Sequence, residues 1–209
     1  MKINEKKTNY IVFSRSKTKF STRLQMNNIT LERMSTIKLL GIWLQEDLKW
    51  DTQVKQICMK AYSRVQMLSK LKYAGISQNE LIEIYKLFIR SVCEYCSVVY
   101  HTSLTIEQKN KLESIQKTCL KIILGDTYNS YEEALSHFSI NTLEKRRQDH
   151  MTKFSIKCVN DDFNFEIFPR NNAKCKEKFT VNFAKTTQYF NSAIPQCQRL
   201  LNKIYQKDP

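Results

Sequence analysis

Between Asp51 and Glu80 the chain reads DTQVKQICMKAYSRVQMLSKLKYAGISQNE, and the period of its apolar residues decides the fold. Val54, Ile57, Cys58, Ala61, Val65, Leu68 and Leu71 recur at steps of three and four, the spacing of one face of an α-helix that runs to about Tyr73. Asp51 suits the helix start, and Gly75 suits its end, because glycine enters the left-handed region without a Cβ penalty. Ser77 with Glu80 then makes a capping box, each side chain satisfying a free N–H at a helix start, so a second helix opens at once. Its expected stripe is Leu81, Ile84, Tyr85, Phe88, Val92 and Tyr95.

The same grammar continues downstream. Thr105 with Gln108 opens a third helix, striped by Leu112, Ile115, Cys119, Ile122 and Ile123 and closed by Gly125. Ser130 with Glu133 starts a short fourth, and Asn141 with Glu144 a fifth that runs to about Val159. Connections this short favour antiparallel neighbours. Beyond Asp161 the chain is polar, aromatic and poorly periodic, with one late helix expected near Gln196–Tyr205. Upstream of Asp51 the composition turns β-branched and aromatic. Tyr10–Phe13 and Ile37–Leu44 read as strands, the second broken by Gly41 at a bulge or a close backbone approach, and Leu24–Leu31 as a short hairpin arm. The expected fold class is mainly α, with short N-terminal antiparallel strands followed by a helical bundle. The length admits one domain or two small subdomains.

Composition narrows the function. With three glycines and three prolines in 209 residues, both are several-fold below average usage. A phosphate-cradling loop needs glycines close together, and Gly41, Gly75 and Gly125 stand far apart. Thirty-four Lys and Arg against twenty Asp and Glu leave a net charge of +14, which favours a polyanionic partner. Seven cysteines without an apolar leader point to reduced thiols in an intracellular compartment. The most apolar stretch, Leu87 to Ile106, carries Arg90 and Glu94 and is too interrupted to span a membrane.

Few residues offer chemistry. Cys93 and Cys96, with His101 and Cys119 nearby, have the first half of a zinc spacing, but no second close pair exists and both cysteines fall in a helix, where buried thiols are the expected reading. Asp161-Asp162 is the one adjacent aspartate pair; its Val159–Asn164 setting reads as a solvated turn rather than a two-metal site. His101 is expected in a loop and His150 among charges, in surface or capping roles. The basic residues carry more: Lys55, Lys60, Arg64, Lys70 and Lys72 on the first long helix, and Lys109, Lys111, Lys117 and Lys121 on the third, suit contacts to a phosphate backbone.

Taken in order, short motifs resemble one family. Asn4–Phe13 resembles the lysine-threonine strand that follows the catalytic aspartates in reverse transcriptases of non-LTR retrotransposons. Ile37–Ile42 with Leu48-Lys49-Trp50 resembles the next block, the primer grip and the lead into the thumb. Ile89–Tyr95 with Val99–His101, Leu112–Lys117 with Ile122–Gly125, Ser130–Leu135, Leu143–Arg147 and Asn191–Pro195 then follow in the family's order, closest to jockey-like elements. Leu201-Asn202 stands where the family has Trp-Asn.

The resemblance implies a partial palm over 1–48, a helical thumb over 49–125 and a helical to irregular post-thumb region over 126–209. It implies RNA-directed DNA synthesis, with magnesium, by a complete enzyme whose fingers, remaining palm and aromatic-x-Asp-Asp turn would precede residue 1. This chain would then carry no catalytic residue, no metal and no cofactor of its own, and would hold an RNA template and DNA primer in the nucleus or cytoplasm. By the resemblance, Lys7 is the palm lysine near the incoming nucleotide, and Leu40, Gly41 and Ile42 form the primer grip. Lys60 and Arg64 are the expected phosphate contacts. Without further palm partners the first strands would expose edges. The alternative is a transposon-derived helical interaction protein that no longer binds nucleic acid.

Overall fold

The computed structural model describes residues 4, 8–13, 23–160, 168–171 and 178–206. The described chain is mainly α, with small strands on its N-terminal side. It divides into two compact units, Met1–Gln56 and Ile57–Pro209.

The first unit holds β1 (Asn9–Tyr10), β2 (Gln25–Met26), β3 (Ile29–Thr30), β4 (Glu32–Arg33), β5 (Thr36–Leu39) and β6 (Ile42–Gln45). They form three separate two-stranded pairs: β1 with β4 in parallel, β2 with β3 and β5 with β6 antiparallel. The strand expected over Tyr10–Phe13 is therefore shorter and begins earlier, because its partner β4 spans only two residues before the chain turns into β5. The hairpin arm expected at Leu24–Leu31 is present as β2 and β3, joined by Asn27 and Asn28, both at positive φ.

Ile37–Leu44 is a hairpin, not one strand with a bulge. Leu39 pairs with Ile42 and Thr36 with Gln45, so Leu40 and Gly41 form a two-residue turn. Both have positive φ, 46° and 86°, as a turn matched to the strands' right-handed twist requires. Gln45 and Gln53 tie the hairpin to the helix that follows: Thr52 N donates to Gln45 Oε1 at 2.7 Å, and Trp43 N to Gln53 Oε1 at 2.9 Å.

That helix, α1 (Asp51–Tyr73), buries Val54, Ile57, Ala61, Val65 and Leu68, as its period demands. It ends in a Schellman motif: Ile76 N donates to Leu71 O at 3.2 Å and Gly75 N to Lys72 O at 3.1 Å, with Gly75 at φ 86°. Its neighbour α2 (Gln78–Ile84) opens with the expected box, Ser77 N to Glu80 Oε2 at 3.1 Å and Glu80 N to Ser77 Oγ at 3.4 Å. The Ser77 hydroxyl, at 2.6 Å, and the Ser77 N–H both donate to the Glu80 carboxylate and hold it below its ordinary pKa.

The α-helical stripe expected beyond Ile84 does not persist. Tyr85–Arg90 is a π-turn, whose wider winding keeps Leu81, Tyr85, Ile89 and Cys93 in line at steps of four. Phe88 and Tyr95 consequently face outward. The chain resumes as α3 (Ser91–Glu94), reverses at Cys96 with φ 49°, and forms α4 (Ser97–Tyr100) and a 3₁₀ turn, His101–Ser103.

Central to the second unit is α5 (Ile106–Leu124), which packs against α2, against α6 (Tyr131–His137) and against α7 (Leu143–Asn160). It begins with the Thr105–Gln108 box and ends at Gly125. Ser130 caps α6 by accepting from Glu133 N at 3.2 Å. The cap of α7 lies one residue later than expected: Thr142, not Asn141, accepts from Lys145 N at 3.1 Å, and Glu113 of α5 accepts from Leu143 N at 3.1 Å and Glu144 N at 3.2 Å. Late in the chain come α8 (Thr187–Phe190) and α9 (Ala193–Tyr205), the latter longer than the expected helix by three residues. With α7 it encloses Met151, Cys158, Phe168, Phe179, Cys197 and Leu201, and the Asn202 amide bonds both backbone groups of Phe179, at 2.8 and 2.9 Å. Among the described residues no helix is long and apolar enough to cross a membrane.

Candidate nucleic-acid interface

Leu40, Gly41 and Ile42 come together at the tip of the β5–β6 hairpin. Ile42 is buried, whereas Leu40 is 85% exposed in a left-handed conformation that costs a leucine about 1–2 kcal/mol. A large apolar side chain held outward at that cost is the kind of strained feature that concentrates at binding sites. Lys38 leans over the Trp43 ring at 5.8 Å, so a cation and an aromatic face share the same hairpin. Lys7 lies outside the described residues, as do Asp161 and Asp162.

In the second unit, Lys60 and Arg64 stand one turn apart on α1, on one flank of its buried stripe. Lys60 is exposed. Arg64 is half-buried, and its guanidinium donates to the Phe88 carbonyl in the π-turn. Three of the other basic residues are also committed to structure or to acids: Lys72 Nζ donates to Ile123 O at 2.9 Å, and Lys109 bonds Glu144 at 2.8 Å. Lys111 pairs with Glu107 at 2.6 Å. Lys117 and Lys121 differ. They project from the exposed back of α5, one turn apart, over the rings of Tyr131 and Tyr128 at 4.9 and 5.4 Å. A cation over an aromatic face keeps its outer hemisphere open to a phosphate.

The polar residues within the family-like motifs hold one another. Arg146 of α7 clasps Glu94 of α3 with Nε on one oxygen and Nη2 on the other, the latter at 2.9 Å, which raises the Arg146 pKa. Tyr85 donates to Gln116 Oε1, Gln116 Nε2 donates to Tyr131 Oη at 2.8 Å and to Asn141 O at 3.1 Å, and Tyr131 donates to Glu113. Burial pushes the Tyr85 and Tyr131 hydroxyls up, so both remain proton donors. One chain of bonds thus joins the π-turn, α5, α6 and the start of α7. Gln116 had a legible signal, a polar residue in register with the apolar stripe; Glu113 had none, since its partners lie on other helices.

Cys93 and Cys96 do not form a joint site. Cys93 is fully buried, and burial raises its thiol to about 12, while Cys96 is exposed at a backbone reversal. Among the described residues no group of three or more His, Cys, Asp or Glu is placed to hold a metal ion. His101 is a correction to the surface role: it is 7% exposed, and burial, then Arg147 and Lys109, lower its pKa to about 4. Compared with protein-family models, curated proteins and solved structures, the chain finds no match.

Proposed function

We propose that this chain is the C-terminal part of the RNA-directed DNA polymerase of a non-LTR, jockey-like retrotransposon, and that it grips the primer–template without polymerising on its own. The observation that carries the reading is the ordered run of family-like motifs from Asn4 to Pro195. In support, side chains from different motifs meet: Glu94 with Arg146, and Gln116 and Glu113 with Tyr131. The charge of +14, exposed Lys60, Lys117 and Lys121, and the outward Leu40 at the hairpin tip suit an RNA–DNA hybrid contacted through its backbone and primer end. Magnesium and the catalytic carboxylates belong, on this reading, to the complete intracellular enzyme, in nucleus or cytoplasm.

The test is titration of a fluorescent RNA–DNA hybrid with the full chain between 50 and 200 mM salt. Affinity falling linearly in logarithmic units with salt is expected. Absence of binding at low salt overturns the reading and leaves a helical interaction protein, which exposed Leu87 and Phe88 on the π-turn would favour. Primer extension with magnesium should yield no product; any extension by this chain alone overturns its catalytic incompleteness.

A further inference from the structure

Four neighbouring residues hold all the buried side-chain nitrogen and oxygen atoms that lack a hydrogen-bond partner among the described residues: Ser97 Oγ, His101 Nδ1, Thr102 Oγ1, and Nε, Nη1 and Nη2 of Arg147. They are not scattered through the fold. Ser97 and His101 stand one turn apart on α4 and its 3₁₀ extension, Thr102 follows, and α4 packs directly against α7, which carries Arg147. Arg147 occupies an inward register of α7 between Leu143 and Met151 and has no exposed surface at all.

An orphan hydroxyl can be satisfied by an enclosed water. An orphan guanidinium poses a different problem. It cannot discharge by losing its proton, and water supplies hydrogen bonds but no counter-charge. The nearby carboxylates are already engaged. Glu94 is clasped by Arg146 and also faces Arg90 and His150, each at 3.9 Å. Glu144 lies outside, half exposed, bonded to Lys109 at 2.8 Å. The oxygens of Glu113 are taken by Tyr131 and by the first amides of α7. Arg90 and Arg146 therefore share one buried carboxylate, and Arg147, the arginine with no exposure, forms no ion pair of its own and feels only Glu144 at longer range.

We propose that Arg147, together with the hydroxyls of Ser97 and Thr102, encloses a small monovalent anion of halide size. The chemistry selects the size and charge. The burial of these donor atoms disfavours a phosphate or a carboxylate-bearing side chain of a partner, while a halide is close to a water in size. Hydroxyl and guanidinium hydrogens all donate, which is what an acceptor-only ion requires. His101 fits the same site: its Nδ1 has no partner, and a neutral imidazole can donate from that nitrogen. The ion would lock α4 onto α7. This inference does not rest on nucleic-acid binding.

The test is thermal unfolding of the full chain at constant ionic strength, with sodium gluconate replaced stepwise by sodium chloride or sodium bromide. A midpoint that rises by about 5 °C and saturates is expected. Arg147→Met should melt at one temperature whichever anion is present. Because that variant removes a large buried side chain, Ser97→Ala/Thr102→Val provides the second arm, and should need about tenfold more chloride for half of the rise. Equal midpoints of the native chain in gluconate and chloride overturn the proposal, as does a chloride response of the double variant identical to that of the native chain. Crystals grown in bromide should show an anomalous peak against Arg147; ordered water alone at that position overturns the anion as well.

Discussion

Leu40 and His101 show how single residues carry a cost that the rest of the fold sustains. Leu40 adopts φ 46°, where asparagine is at ease and leucine is not, and it does so with its side chain outside. Leu40→Asn should relieve about 1 kcal/mol and slow amide exchange at the β5–β6 pairs about fivefold. If Leu40 meets the primer end, the same substitution weakens hybrid binding; tighter or unchanged binding would remove Leu40 from the interface. His101 works through protons. Its folded pKa of about 4 lies below the ordinary 6.5, so between those values the unfolded chain binds a proton that the folded chain refuses. Its contribution is complete above pH 6.5 and is lost as pH falls towards 4, by up to about 3 kcal/mol. Urea unfolding from pH 7 to 4 should show that decline in the native chain and a flatter profile in His101→Asn. Of the charges beside His101, Arg147, Lys109 and Glu144, only the Glu144 carboxylate titrates at the acid end of that range, so Glu144→Gln serves as its control.

At the scale of elements, the ends of helices matter as much as their stripes. Gly75 has open space around its missing Cβ, so Gly75→Ala tests the backbone alone: φ 86° should cost about 1 kcal/mol and lower the melting point by about 2–4 °C. Glu113 is a larger matter. Its carboxylate accepts from two amides at the start of α7 and from Tyr131, and Glu113→Ala strands all three donors. A loss of about 2–3 kcal/mol is expected in denaturant titrations. Glu113→Gln, which keeps an acceptor, should recover part of it. The second, third and fourth expected helix starts were legible because a box or cap is written in adjacent residues, as at Ser77, Thr105 and Ser130. The start of α7 was displaced because a carboxylate thirty residues upstream caps it, and the stripe after Ile84 failed because a π-turn changes the winding.

For the whole molecule the governing quantity is its charge. If the chain holds the hybrid as proposed, its net charge of +14 makes the affinity a function of salt, with each lost phosphate contact lowering the logarithmic slope by about 0.9 on a B-form duplex, a guide for the hybrid. Lys117→Glu/Lys121→Glu should flatten that slope by about 1–2 and leave the melting point nearly unchanged, since both lysines are on the exposed side of α5. An unaltered slope would place the interface elsewhere, with Lys60 and Arg64 as the remaining basic pair. The sequence by itself determined the helical class, most helix boundaries, the hairpin arm and the basic character, because period, caps and charge are properties of neighbouring residues. Only the tertiary structure decided that Ile37–Leu44 folds on itself, that Arg64 and Lys109 are partly spent on carbonyl and carboxylate partners, and that Arg147 is buried. Those outcomes depend on which helices meet, and residues fifty positions apart reveal their pairing only when packing has brought them within bonding distance.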